Sequence, residues 1–233
     1  MTNLDNCQFY CLSFNNEQKK RDMIDRFRHL KIPCKFYDGV KHDDSRIKEK
    51  KLNNFNKSQW SATYGHLDMI RDFYNNSNKT YGIFCEDDIY IHRNIKLILH
   101  KVITDFNLLN LDILLLSYLL PYKIWQQHIL TNYKLKHEMP KESMFKYHTY
   151  PDYLSGSQMY MITKNHAKFL LDNYYDPRIA KYELNYFMSD KIITKYSNGN
   201  SALIYPMLAI ENSEQSDSYH QLCQKIHYDD VYI

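Results

Sequence analysis

The chain has 233 residues, 44% of them hydrophobic and 24% charged, which is the make-up of a soluble globular protein long enough to bury a core without staples. A formal net charge of +3, spread along the chain, does not demand nucleic acid as a partner. No apolar run approaches the ~20 residues of a bilayer span, and residues 1–6 lack the apolar core of a signal peptide, so a cytoplasmic protein with no membrane span is expected. The five cysteines, at positions 7, 11, 34, 85 and 223, form no CxxC pair and leave one over in any disulfide scheme. Reduced thiols that fill the core are the expectation.

Residues 8–14 mix aromatic, aliphatic and small side chains and read as a first strand. Asn15, with Gln18 three residues later, is a good N-cap for a helix whose apolar face is Met23, Ile24, Phe27 and Leu30. Pro33 closes that helix, and residues 34–37 read as a second strand ending at Asp38-Gly39. Strand, helix and strand together make a right-handed crossover, the first half of a nucleotide-binding sheet. The basic run at 46–51 reads as a solvated loop or helix face. Trp60, Tyr64, Leu67, Ile70 and Tyr74 then recur at helical spacing around Gly65-His66. A glycine there costs ~1 kcal/mol relative to alanine, so close packing or ligand approach is expected at Gly65, and His66 reads as a packing histidine.

After a turn at 75–79 comes Tyr81-Gly82-Ile83-Phe84-Cys85-Glu86-Asp87-Asp88, an apolar run that ends in three acids. The run reads as a strand buried on both faces, as in a parallel sheet, with the acids at its carboxyl end, where open α/β sheets bind ligands. Two carboxylates ~4 Å apart repel by ~4 kcal/mol at an effective dielectric near 20. A divalent cation removes that cost, and oxygen-only ligands select hard ions such as Mg²⁺ or Mn²⁺ bridging to a diphosphate. The competing reading is a solvated acidic turn.

Residues 94–106 repeat the helical pattern, and 112–117 form a continuous aliphatic strand. The stretch 118–153 is irregular and aromatic, the character of a binding loop. Ser155-Gly156-Ser157-Gln158 reads as a turn leading into a strand at 159–162, followed by a helix at 164–174 capped by Thr163. Leu184, Phe187, Met188, Ile192 and Tyr196 mark another helix with Ser189-Asp190 inside it. Residues 202–205 read as the last strand, stopped by Pro206, before a polar tail that carries Glu211, Asn212 and His220. Neither a repeat nor a linker is visible, so a single domain over 1–233 is expected.

In this order, the opening strand and helix, Asp38-Gly39, Gly65-His66 and the acidic strand end resemble glycosyltransferase family 25, which contains lipooligosaccharide and procollagen galactosyltransferases. Leu12-Ser13-Phe14 and Lys20-Arg21 stand where the family has Ile-Asn-Leu and an arginine, and Tyr37-Asp38-Gly39 is similar to its Val-Asp-Gly. Gly65-His66-Leu67 is similar to its Ser-His helix, and Glu86-Asp87-Asp88 matches its Glu-Asp-Asp. Ser155 to Thr163 resembles its small-residue turn and strand, and Asp190 its later acid. The resemblance implies an α/β fold of the GT-A type, Rossmann-like, with a mostly parallel central sheet flanked by helices. It implies a metal such as Mn²⁺ (or Mg²⁺), a UDP-sugar donor of galactose or glucose, and a glycan or glycoprotein acceptor.

On this reading Asp88 is the first metal ligand, with Glu86, Glu211 and His220 as further candidates. Ser13, Arg21, Asp38, Glu86, Asp87, Gly156 and Ser157 are the candidates for holding the nucleotide sugar. An inverting transfer needs a base close to the acceptor hydroxyl, for which Asp190 comes first and Asp152 second. Asp190 also reads as a helix N-terminal charge favoured by the dipole. Two other classes compete: a nucleotide-sugar-binding module without turnover, suggested by the departures at Ser13 and Gly65, and a metal-dependent nuclease. The dispersed basic residues, and the absence of a lysine close behind Asp88, weigh against the nuclease.

Overall fold

The computed structural model describes residues 3–14, 16–48, 54–119, 144–149, 154–176, 187–195 and 199–212. After a 3-10 turn at Asn3–Asn6 the chain forms β1 (Cys7–Ser13), α1 (Glu17–Leu30), β2 (Cys34–Asp38), α2 (Ser45–Lys48) and α3 (Asn54–Asn76). It continues through β3 (Tyr81–Glu86), β4 (Ile89–Ile91), α4 (Ile95–Leu108), β5 (Ile113–Leu119), β6 (Lys146–His148), β7 (Ser155–Thr163) and α5 (Lys164–Leu170). Two π-helical turns, Leu171–Tyr175 and Asp190–Lys195, precede β8 (Ser201–Tyr205) and β9 (Ala209–Glu211). Among the described residues no helix is long and apolar enough to cross a membrane.

Seven strands form one mixed sheet in the order β2-β1-β3-β7-β5-β8-β6. β2, β1 and β3 are mutually parallel, as are β5 and β8, while β7 runs antiparallel between β3 and β5 and β6 runs antiparallel to β8. Five strands therefore share one direction, and the sheet is flanked by helices on both faces. Alternation decides which residue faces which layer: Phe9 and Cys11 pack towards α1 and α4, and Tyr10 and Leu12 towards α3 and α5. Across β1, β3 and β7 the rings of Tyr10, Phe84 and Tyr160 stack at 5.1 and 5.2 Å between centroids, which follows from their shared register. The described cysteines 7, 11, 34 and 85 are free, and 7, 11 and 85 are buried.

Several expectations shift. The N-cap of α1 is Asn16, whose side chain accepts from the Lys19 amide at 3.0 Å, one residue later than expected. Ser155-Gly156-Ser157-Gln158 is no turn but the first half of β7. β8 is not the last strand, because β9 follows and pairs with the equally short β4 in a second sheet. The basic run is not simply solvated: Arg46 donates to both oxygens of Asp68 at 3.0 and 3.1 Å and to Asp44, with its guanidinium 4.6 Å over the Tyr64 ring. Gly65 is explained by packing, since a Cβ there would lie 2.7 Å from Leu12 Cδ1 on β1. Without that atom α3 can settle directly on the sheet.

Candidate active site

The site is assembled at the carboxyl ends of the parallel strands. β1 ends at Ser13, paired with Asp38 of β2, and β3 ends beside it at Glu86, which pairs with Leu12. Asp87 and Asp88 turn the chain into β4, and the pairing Ile89↔Glu211 together with the bond from the Asn212 amide to the Asp88 carbonyl at 2.6 Å brings Glu211 alongside Asp88. Two three-residue strands thus deliver an acid from over a hundred residues downstream to the first acidic cluster.

Each carboxylate has its own partner. Ser157 Oγ donates to Glu86 Oε1 at 2.7 Å, and His66 Nε2 meets the same oxygen at 3.3 Å. Because a carboxylate only accepts, Nε2 carries the proton, while Nδ1 lies 3.0 Å from the Tyr160 hydroxyl. His66 is fully buried, so it is a packing histidine and also a donor to the acid cluster. Burial pushes the Glu86 carboxyl up, but His66, the Ser157 hydroxyl and the Lys19 charge bring it below its ordinary range. Ser13 Oγ donates to Asp87 Oδ2 at 2.6 Å, yet burial still leaves Asp87 above the usual carboxylate range.

Gln158 Nε2 donates to Glu211 Oε2 at 3.4 Å. Lys19 Nζ bonds Asp88 Oδ2 at 3.2 Å, but Asp88 Oδ1 is buried with no hydrogen-bond partner. Burial and the negative charges of Glu86 and Glu211 push the Asp88 carboxyl up to about 7, against the pull of Lys19.

Gly156, at φ +146°, lets β7 pass close to β5: a Cβ there would lie 2.3 Å from Gln158 Oε1 and 3.0 Å from the Tyr118 Cα. Ser157 Oγ also lies 2.8 Å from Ser189 Oγ, which brings the neighbouring Asp190, half-buried at the start of its π-helical turn, to the edge of the cluster. Asp38 is well exposed and held by Lys20 at 2.5 Å. Arg21 lies on the exposed face of α1, where Gln18 Oε1 accepts from it at 3.0 Å; the cation that reaches the acids is Lys19 instead. Asp152 and His220 lie outside the described residues.

Lys19, Gln158 and Ser189 are additions to the residues marked from sequence. The signal for Lys19 was present, as a lysine three residues after an N-cap on the helix that leaves β1. Among the described residues no three His, Cys, Asp or Glu side chains converge into a ready-made metal cage. The paired acids still suit a hard cation that is bound through one or two carboxylates and retains several waters.

An α/β sheet that gathers acids outside its carboxyl ends defines a protein built to bind a ligand there. Residues 6–188 match the family model of glycosyltransferase family 25 (LPS biosynthesis protein), and the chain belongs to that family. No curated protein matches the sequence. Solved structures with a similar course of the chain include A197 from STIV, at 10% identity and TM-score 0.44, covering 84% of this chain and 81% of that one. A glycosyltransferase involved in the glycosylation of the major capsid of PBCV-1 is 12% identical with a TM-score of 0.40, over 95% of this chain and 100% of that one. HddC from Yersinia pseudotuberculosis is 12% identical with a TM-score of 0.38, over 95% and 79%. With TM-scores below 0.5, all three are distant likenesses.

Proposed function

We propose that this glycosyltransferase moves galactose or glucose from a UDP-sugar to a hydroxyl of a glycan or glycoprotein, with Mn²⁺ or Mg²⁺ bound and with inversion at the anomeric carbon. The observation that carries the reading is Asp88, whose buried Oδ1 has no partner and which sits beside Glu211 at the strand ends of a family 25 chain. An unsatisfied buried acceptor costs ~1–3 kcal/mol, and a hard cation with its waters relieves it. Asp88 and Glu211 would hold the ion, with His220 as a further candidate ligand. When bound, the ion supplies positive charge against the diphosphate leaving group.

The remaining work falls to the chain's own side chains. Glu86, kept ionised by His66 and Ser157, accepts a hydroxyl of the donor, and Asp87, oriented by Ser13, accepts from the ribose. Ser157, Ser189 and the close strand passage at Gly156 shape the wall on which the sugar lies. Asp190 takes the proton from the acceptor hydroxyl as its oxygen bonds to the anomeric carbon. The bond from that carbon to the diphosphate breaks, and its electron pair leaves with the phosphate oxygen.

UDP-sugar hydrolysis, assayed with and without Mn²⁺, tests the reading. Slow hydrolysis that requires Mn²⁺ and is lost in Asp88→Ala is the expected result. Binding without turnover would mark a nucleotide-sugar-binding module, and cleavage of DNA or RNA a nuclease; either sinks the proposal.

A further inference from the structure

Of the four carboxylates gathered at the strand ends, Asp87 is held by a serine hydroxyl, Glu211 by an amide, and Glu86 by a serine hydroxyl and an imidazole. Asp88 is partnered by an ammonium: Lys19 Nζ lies 3.2 Å from Oδ2, with both side chains mostly buried. The field at Lys19 comes from several acids at once. Asp87 and Glu211 add their attraction to that of Asp88. Oδ1 of the acid that Lys19 partners still has nothing to accept from.

The lysine's mounting also matters. Its backbone amide is pinned to the Asn16 side chain in the first turn of α1, the helix that leaves β1 directly above the site. The first-turn amides of a helix point outward towards anions. The four-carbon stem is the movable part, and lysine is a strongly hydrated point charge that exchanges partners readily. A divalent ion entering at Asp88 repels the ammonium from Oδ2, and a diphosphate arriving with that ion is a new anion for the lysine to pair with.

We propose that Lys19 is a tethered counter-ion of the acid cluster, which occupies the cation's place at Asp88 until metal and donor arrive and then passes to the donor's diphosphate. The inference rests on the glycosyl-transfer reading above and adds to it a competition between one side chain and the metal. Lys19 is then a binding residue for the diphosphate and a built-in brake on metal binding in its absence. Metal and nucleotide must bind with positive coupling, because the nucleotide removes the metal's competitor.

The test uses the full chain and two probes, Mn²⁺ alone and UDP in saturating Mn²⁺, each titrated calorimetrically against wild type, Lys19→Met and Lys19→Arg. Lys19→Met is expected to bind Mn²⁺ alone at least tenfold more tightly than wild type and UDP at least tenfold more weakly. Lys19→Arg is expected to restore most of the UDP affinity. Thermal melting of each variant within a few degrees of wild type shows that folding is not the cause. A purely structural lysine would weaken both ligands together or neither, so unchanged or equally weakened affinities in Lys19→Met overturn the proposal. If neither wild type nor any variant binds Mn²⁺ and UDP, the glycosyl-transfer reading itself falls and this inference with it.

Discussion

The two ends of the sheet differ in how they hold their charges. At the carboxyl ends Glu86, Asp87, Asp88 and Glu211 crowd around Lys19, buried Asp88 Oδ1 lacks a partner, and the Asp88 carboxyl is pushed up to about 7 by burial and its acidic neighbours. At the amino ends a cavity of about 620 Å³ opens between the start of β1 and the start of α4, lined by buried Phe9 and Ile32 and by Lys31, Lys79 and His100. A buried imidazole near that end, His166 of α5, is pushed down to about 4 by burial, so that it stays neutral. Where the amino end buries an acid, Asp105 of α4, Lys101 and the Tyr147 hydroxyl partner it, whereas at the carboxyl end buried Asp88 keeps one oxygen without a hydrogen bond. The unfavourable electrostatics choose the carboxyl end as the site, because only a bound ligand gives a reason for keeping them.

The largest effect is expected where the cluster is weakened. Glu211→Gln should lower Mn²⁺-dependent turnover by ~10²–10³-fold, the loss typical of removing one electrostatic contact to the reaction. Its melting temperature without metal should not fall, since the change removes a like charge beside Asp88 and places a donor among acceptors. A large drop in melting temperature would mean that the acids are structural. At the other end the sign concerns pH. With an ordinary value of 6.5 when unfolded and about 4 when folded, His166 makes the unfolded chain bind more protons between those limits, so stability is lost as pH falls through that window. The full penalty is ~3 kcal/mol below pH 4. Denaturant melts of wild type and His166→Asn should diverge by that slope between pH 7 and 4; parallel curves would show that His166 is hydrated. Next in size is Gly156→Ala, which puts a Cβ at φ +146° and against the Tyr118 backbone. It should cost ~1–3 kcal/mol in the same melts, and cost turnover as well through Gln158.

One side of this contrast, the acidic end, was legible in the sequence. The acidic strand end and the crossover from β1 through α1 to β2 announced themselves through short apolar runs with clear stops, and the helical stripes through several turns of readable period. The family resemblance held over most of the chain. What escaped was set by tertiary pairing. β4 and β9 have three residues each, too few for any period, so nothing local showed that Glu211 lies next to Asp88. β7 was visible as an apolar run, but an apolar run reads the same in both directions, and its antiparallel course between β3 and β5 was hidden. Asn15 and Asn16 are equally good caps, so the helix start slipped by one; Arg21 was marked by the family resemblance, while Lys19, which reaches Asp88, carried no such mark.

The smallest effect is expected at the amino-end cavity, and it sharpens the comparison because it is a predicted silence. Leu97, 76% exposed as the third residue of α4, lines that cavity without being covered by it. A side chain left mostly in water loses little when it becomes polar, so Leu97→Ser should change stability by no more than ~0.5 kcal/mol beyond the small difference in helix propensity. Turnover should stay at the wild-type level, because Leu97 stands at the opposite end of the strands from Asp88. If Leu97→Ser instead reduced transfer to a macromolecular acceptor while leaving UDP-sugar hydrolysis intact, the cavity would belong to acceptor recognition. The division between a reactive end and an inert one would then have to be redrawn.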